Sequence, residues 1–377
     1  MASSEGYTVR PFRPEDRGDV LSLFERSLYP DLGDRREEWF DWRFVDNPFA
    51  SETPITVVDH EGSVVGARSN LPIPLSVGGR REVGILQAET AVRSAHRRRG
   101  LFTRMVEHDE AYYSTRDPVL SYGAPVTATQ AALDAMGDRI GLERGVLCAL
   151  PKYYRVENPV AIADGTSYER LAPLFRLLGP VLRAGIAATT SLASTPEGLT
   201  VRRHATLPVD LLVSLAESDR WDRGIHAVRD ERFYCWRFAN PRFVPRAYSA
   251  WRDGEPVACV VTEHLQRASP VILRVAEALP SGSHHEDGDV LPWLLERAVR
   301  DLGPDATIVL GSRVPGLELL AHGFYPRSAP PVSWLTGPSN FVARPMDGDG
   351  GGGEWRLHGC RLSDPSNWSL SWADLSF

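Results

Sequence analysis

Thr90-Ala91-Val92-Arg93-Ser94-Ala95-His96-Arg97-Arg98-Arg99-Gly100-Leu101-Phe102-Thr103 carries the sharpest local signal in the chain. A strand-like run ends at Val92, an arginine-rich turn follows, and Gly100 opens a helix with Leu101, Met105, His108 and Tyr112 at helical spacing. The first turn of a helix offers backbone N–H groups that have no partner, and it carries partial positive charge. Glycine at that start lets a ligand approach the backbone, and Arg97, Arg98 and Arg99 add electrostatic attraction. The arrangement suits a pyrophosphate. It is neither GxGxxG nor GxxxxGK[ST], so no dinucleotide fingerprint or Walker loop is present. An Arg-Arg-Arg-Gly turn alone also reads as a solvated surface turn, and the surroundings must decide.

Working outward, a strand is predicted at Glu82–Val92, a helix over 100–115, a strand at Val119–Tyr122, a helix over 127–136 and a strand at Val146–Leu150. Upstream, Tyr7–Arg10 reads as a strand and Leu21, Leu23, Phe24 and Leu28 as one face of an amphipathic helix. A short helix around Trp39–Phe44 ends at Asn47-Pro48, because proline biases its predecessor away from helix. Two strands flank Glu61-Gly62 as a hairpin, Ile55–Val58 and Val64–Arg68.

This plan occurs twice. Trp39-Phe-Asp-Trp42-Arg43-Phe44-Val-Asp-Asn47-Pro48-Phe49 returns as Phe233-Tyr-Cys-Trp236-Arg237-Phe238-Ala-Asn240-Pro241-Arg-Phe243. Tyr7–Arg10 matches Leu199–Arg202, and the Glu61-Gly62 hairpin matches Ala247–Trp251, Asp253-Gly254 and Val257–Thr262. The second copy is predicted to continue with a strand at Val271–Leu279, a helix at Val290–Leu302, a strand at Thr307–Gly311, a helix at Gly316–His322 and a strand at Val332–Thr336. Between the copies lies a Leu-rich stretch broken at Gly179-Pro180, and Asp347–Gly353 is a flexible linker by composition. Trp355–Leu362 and Trp368–Trp372 then read as short strands returning to the body. The expected domains are 1–157, a connector at 158–196, and 197–377.

The 377 residues, 42% hydrophobic and 24% charged, with 10 Trp, 13 Phe and 11 Tyr, exclude wholesale disorder and leave room for two or three domains. No run of about 18 uncharged apolar residues occurs, since Leu171–Ala188 is interrupted by Arg176 and Arg183. The Met1-Ala-Ser-Ser-Glu-Gly start has neither a basic head nor an apolar run, so a cytoplasmic protein is expected. A net charge of −7 disfavours nucleic acid, and neither nucleic acid nor membrane is expected as a partner. Lys152 is the only lysine, which reads as composition bias or as protection of an amine-acylating enzyme from itself. Cys148, Cys235, Cys259 and Cys360 lack CxxC spacing, and adjacent His284-His285 lack i, i+4 spacing, so no metal is expected. Nothing decides between a monomer and a homo-oligomer.

The element order together with the arginine turn resembles the GNAT acetyltransferase superfamily. Val92, His96, Arg97 and Gly100 fit its Val-x-Pro-x-Tyr/His, Gln/Arg-x-x-Gly-x-Gly/Ala pattern, while Ser94 and Phe102 depart from it. His96–Leu101 is similar to mycobacterial aminoglycoside acetyltransferases with tandem GNAT domains, and Trp-Arg-Phe with Asn-Pro is similar to a GNAT subgroup found near surface-polysaccharide genes. The resemblance covers 5–155 and, more faintly, 197–340. It implies an α/β (α+β) fold of two GNAT-like domains, each a mixed, mostly antiparallel sheet flanked by helices. It also implies acetyl-CoA or another acyl-CoA as co-substrate. Pantetheine amides would pair with backbone at Ala91, Val92 and Arg93, near Arg97, and the diphosphate would take N–H groups from Arg98, Arg99, Gly100, Leu101 and Phe102.

Acyl transfer to an amine needs a proton acceptor, a stabilised oxyanion and a proton for the leaving sulfur. Glu89 is the candidate base by position, or else a strand carboxylate paired with an arginine. Tyr122 is the candidate acid, or else a core tyrosine. Where one GNAT subgroup carries Phe-Pro-Asn-x-x-Ser-Tyr, this chain has Ala124-Pro125-Val126-Thr127-Ala128-Thr129-Gln130, so the usual tyrosine is replaced by Gln130. The second copy has Pro-Ser-Gly-Ser-His-His-Glu-Asp-Gly-Asp in place of the arginine turn and is expected to be degenerate. Trp42, Trp236, Arg43 and Arg237 repeat even there, which points to packing. The expected activity is acetyl-CoA-dependent N-acetylation of a small-molecule amine, such as an amino sugar or an aminoglycoside-like compound. The alternatives are a non-catalytic acyl-CoA-binding module and an aminoacyl-tRNA-dependent ligase.

Overall fold

The computed structural model describes residues 6–116, 119–125, 129, 131–133, 145–149, 152–156, 173, 177, 198–218, 224–265, 272–280, 290–301, 308–311, 324–326, 329, 340–346 and 355–375. β1 (Tyr7–Pro11) leads to α1 (Arg17–Ser27), which buries Val20, Leu21, Leu23 and Phe24. Leu28, expected on the same face, lies just past the helix end and is exposed. α2 (Arg36–Phe40) widens into a π turn over Asp41–Val45 before Asn47-Pro48. β2 (Ile55–His60) and β3 (Ser63–Val77) meet at Glu61 and Gly62, with φ of 53° and 80°. Two successive left-handed residues make the turn whose twist suits a hairpin.

β4 (Arg80–Val92), α3 (Leu101–Tyr113), β5 (Leu120–Gly123), β6 (Gly145–Ala149) and β7 (Tyr153–Val156) follow. The second half runs through β8 (Leu199–His204), α4 (Val209–Ser218), β9 (Ile225–Ala227), α5 (Glu231–Arg237), β10 (Phe243–Arg252) and β11 (Glu255–Leu265). The β10–β11 hairpin turns at Asp253 and Gly254, again both at positive φ, 51° and 88°. β12 (Ile272–Leu279), α6 (Val290–Asp301), β13 (Ile308–Gly311), β14 (Tyr325–Pro326) and β15 (Asn340–Pro345) complete the repeat. The expected helices near 127–136 and 316–322 and the strand at 332–336 lie wholly or largely outside the described residues.

The tail is a small hairpin, β16 (Arg356–Leu357) and β17 (Cys360–Arg361), followed by α7 (Trp372–Leu375). No strand forms at 368–372; Trp368 makes a single bridge to Ile225. Ser371 starts a helix instead. Its hydroxyl accepts from the Ala373 N–H, and the Asp374 carboxylate accepts from the Ser371 N–H, the reciprocal cap that Ser-x-x-Asp encodes.

The strands form two large sheets. One has the order β1-β2-β3-β4-β5-β15-β6, with β9 also on β3; the other has the order β14-β7-β13-β12-β11-β10-β8. Among the described strands each large sheet has one parallel pair, β4–β5 and β12–β13, and is otherwise antiparallel. The halves exchange a strand. β7 follows β6 in sequence but lies between β13 and β14, while β15 follows β14 but lies between β5 and β6. The sheets therefore do not follow the chain boundary at 157: each takes its inserted strand from the other half.

The core is shared as well. Phe24, Trp39, Phe40 and Phe44 pack in one cluster with Leu212, Phe233, Phe238 and the tail's Trp368. Trp42 and Trp236 stack at 5.6 Å and 17°, and each indole N–H donates to the other residue's carbonyl, at 2.6 and 2.9 Å. The repeated tryptophan is thus the local two-fold clasp between the copies. α6 lies over the second sheet in a separate cluster with Leu273, Leu294 and Val299.

Candidate active site

β4 is the strand that shapes the site. It pairs with β5 at Gly84↔Leu120, Ile85↔Ser121 and Leu86↔Tyr122, and there the pairing stops. From Gln87 to Val92 no described strand covers that edge. On the other side the β3–β4 register jumps from Arg68↔Thr90 to Asn70↔Gln87. Ser69 of β3 thus faces Ala88 and Glu89 of β4, a β-bulge, and bulges bend a strand away from its neighbour.

Strand geometry decides which backbone groups face the open edge. The Arg93 N–H donates to the Val65 carbonyl at 2.8 Å, so Arg93 faces β3, and by alternation so does Ala91. Thr90 and Val92 face outward. The Val92 carbonyl accordingly accepts from Arg97 Nε at 3.0 Å rather than from β3. Of the three residues expected to meet a pantetheine, only Val92 presents its backbone there, and Thr90 does so beside it.

After Val92 a single 3-10 turn, Ser94–His96, leads to Arg98 and Gly100, both left-handed with φ of 61° and 73°. No side chain caps α3, and a Cβ on Gly100 would meet nothing within 4 Å. The N–H groups of Leu101 and Phe102 therefore open outward beside the exposed Arg97, Arg98 and Arg99. The Phe102 ring lies under the Arg68 guanidinium at 5.7 Å, turned onto the sheet and away from the helix mouth. Its departure from the Gly/Ala pattern leaves the mouth clear. Arg68 Nε and Asn70 Nδ2 both donate to Asp109 of α3, at 2.9 and 2.7 Å, and Thr56 Oγ1 donates at 2.5 Å. That buried cluster ties the helix to the sheet.

Glu89, the expected base, does not face a cleft. Its side chain is 1% exposed. Oε1 accepts from Arg43 at 2.9 Å and from the Tyr29 hydroxyl at 2.7 Å, while Oε2 accepts from Ser69 Oγ at 2.5 Å. Burial alone would raise its pKa, but Arg43 and the two hydroxyls outweigh burial and hold it below the ordinary carboxylate range. A base must reach the proton it takes, and this carboxylate is enclosed by its own donors. Tyr122 is also buried, its ring against Phe341 and Trp368 at 6.2 and 5.9 Å. Its hydroxyl has no hydrogen-bond partner among the described residues. Burial, then the charge of Asp374, push its pKa far up, which makes it a reluctant proton donor. Gln130 lies outside the described residues.

Residues 8–132 match the sequence model of the family described as "Acetyltransferase (GNAT) domain". Among solved structures, the chain is similar to a GCN5-related N-acetyltransferase from Anabaena variabilis, with 13% identity, 90% of this chain and 73% of that one covered, and a TM-score of 0.57. It is similar over 91% of its own length and 99% of the other to a tandem GNAT protein from the clavulanic acid biosynthesis pathway, with 16% identity and a TM-score of 0.54. Saccharomyces cerevisiae N-myristoyltransferase, solved with bound myristoyl-CoA and inhibitors, aligns at 14% identity over 91% and 80% of the two chains, with a TM-score of 0.54. The chain has a tandem GNAT fold. No curated protein matches its sequence.

The second GNAT-like sheet keeps the splay without the same interior. β12 leaves β13 after Arg274↔Leu310, and its own bulge falls between Val261 and Thr262 of β11. By register from the last splay pairs and from Asn70↔Gln87 and Thr262↔Val275, Glu277 stands there where Glu89 stands in β4, and it faces Val261 where Glu89 faces Ser69. The buried Arg237, twin of Arg43, pairs with Glu263 of β11 at 2.6 Å, and Glu263 also takes Arg274 at 2.6 Å. The acidic stretch expected to replace the arginine turn, 281–289, lies outside the described residues. No cluster of metal-ligating side chains occurs among the described residues, and none of their helices is long and apolar enough to cross a membrane.

Proposed function

We propose that this chain is an acyl-CoA-dependent N-acyltransferase, with acetyl-CoA as donor and a primary amine of a small molecule as acceptor. One observation carries the reading. The uncovered edge of β4 from Gln87 to Val92 runs directly into the uncapped α3 N-terminus at Gly100. Thr90 and Val92 would hold the pantetheine amides, with Arg97 leaving the Val92 carbonyl as they arrive. The first N–H groups of α3, with Arg98 beside them, would hold the diphosphate. A bound acyl-CoA would supply the thioester whose acyl group passes to the amine.

The acceptor class rests on the resemblance to amine acetyltransferases and on the net charge of −7, which favours a cationic substrate such as an amino sugar or an aminoglycoside-like compound. With Glu89 enclosed, the amine proton would leave to solvent water, and transfer would rely on orientation more than on general base catalysis. Calorimetric titration with acetyl-CoA tests the site. The wild type is expected to saturate, and Gly100→Trp, which fills the helix mouth, to bind about a hundredfold more weakly. No binding by the wild type sinks the reading.

The enclosure of Glu89 and Tyr122 favours a second reading, a non-catalytic acyl-CoA-binding module. Release of free thiol in the presence of an amine panel separates the two: binding without release supports the module.

A further inference from the structure

Ser69 and Glu89 do something at the bulge that neither a base nor a passive core residue would do. The bulge interrupts the β3–β4 ladder between Arg68↔Thr90 and Asn70↔Gln87, so its backbone needs other partners. Ser69 Oγ accepts from the Glu89 N–H at 2.9 Å and donates to Glu89 Oε2 at 2.5 Å. One hydroxyl thus holds both the main chain and the side chain of the bulged residue. The other carboxylate oxygen is fixed from the helical side by Arg43 and Tyr29. The next residue in the chain, Thr90, is the first past the bulge whose backbone faces the open edge, and the last β4–β5 pair, Leu86↔Tyr122, lies just before the bulge.

We infer that Ser69 and Glu89 are positioning residues that set which backbone groups of β4 meet the pantetheine arm, and this rests on the acyl-CoA reading above. A one-residue slip of the bulge would turn Thr90 and Val92 toward β3 and bring Ala91 and Arg93 to the edge. The diphosphate end, built from the α3 N-terminus, would be untouched. That difference gives the test.

Ser69→Ala removes the stitch and leaves the Arg43–Glu89 ion pair in place. Titrations should show acetyl-CoA binding weakened about tenfold, the loss of roughly two hydrogen bonds to the arm, with ADP, which reaches only the phosphate end, unchanged. Tyr29→Phe, which keeps Ser69, should have a smaller effect of the same kind. Equal weakening of both ligands would mark general damage to the fold and overturn the inference, as would no change in either. Loss of turnover in Glu89→Gln, with acetyl-CoA affinity intact and the acidic limb of the pH–rate profile gone, would also overturn it by restoring Glu89 as a base. Failure of the wild type to bind acetyl-CoA removes the underlying reading and the inference with it, and is seen before any variant is made.

Discussion

The bulges in β4 and β12 interrupt their ladders at the same place, yet their interiors are built differently. In β4 the bulged residue is Glu89, with Arg43, Tyr29 and Ser69 around its carboxylate. In β12 the equivalent residue is again a buried carboxylate, Glu277, but its partner is Arg229, which reaches it at 2.7 Å while also holding Asp374 of α7 at 2.6 Å. The first bulge is fixed by an ion pair to a helix of its own copy. The second is fixed by the tail. The irregularity belongs to the fold, whereas the partners of its buried carboxylate differ between the copies.

The comparison breaks most visibly at the arginines. Arg43→Ala would leave Glu89 buried with only hydroxyl partners among the described residues and is expected to cost about 3–5 kcal/mol in denaturant unfolding. Arg237→Ala should cost less, about 2 kcal/mol, because Glu263 keeps Arg274. Equal losses would show that the two ion pairs are energetically alike after all.

Charge sign sharpens it further. The Glu89 pKa is held low in the folded state, so its stabilisation is present above the ordinary glutamate range and is lost as pH falls through the lowered value. Glu277 has the opposite shift: burial raises it, and Arg229 only partly offsets this. Its charged form therefore weakens the fold above that raised value, and protonation relieves the strain. Glu89→Gln is accordingly expected to destabilise by a few kcal/mol at pH 7, whereas Glu277→Gln should change stability by no more than about 1 kcal/mol, in the stabilising direction. Unfolding curves for the two variants taken from pH 7 down to about pH 3 check both signs.

At the clasp the copies should behave alike. Trp42→Phe and Trp236→Phe each keep a stacked ring and lose one indole donor, so each should cost about 1 kcal/mol. The pair should be non-additive because the residues touch. The smallest effects belong to the hairpins. Gly62→Ala and Gly254→Ala keep open space around a new Cβ but force it to φ of 80° and 88°, for about 1 kcal/mol or slightly more in melting experiments.

Local patterns carried most of the fold. Glu61-Gly62 and Asp253-Gly254 announced their hairpins, the Trp-Arg-Phe repeat announced two copies, and Arg97–Gly100 announced a helix start with its N–H groups open. What stayed hidden depends on pairing at long range. β7 and β15 look like any short strands, and nothing in Tyr153–Val156 or Asn340–Pro345 says that each belongs to the other sheet. At the site, the structure bears out the reading of Glu89 as a carboxylate paired with an arginine, but which partners would reach it was not legible, because Tyr29 and Arg43 approach it from 60 and 46 residues away. Ser69 had a readable trace: Arg68-Ser69-Asn70 breaks the alternation of β3 with three polar residues in a row. Which backbone groups of β4 face the open edge could not be read, because that depends on register, which the bulge resets.

The strand exchange also has a consequence for how the chain is made. When β6 leaves the ribosome, the first sheet has a vacant slot beside β5 that only Asn340–Pro345 can fill, about 190 residues later. At roughly 5–20 residues per second, that is about 10–40 s during which two strand edges wait unpaired. Meanwhile β7 waits for β13. Neither half can finish folding before the other is synthesised, so a stop codon anywhere before β15 would release a protein with an open sheet rather than one working domain.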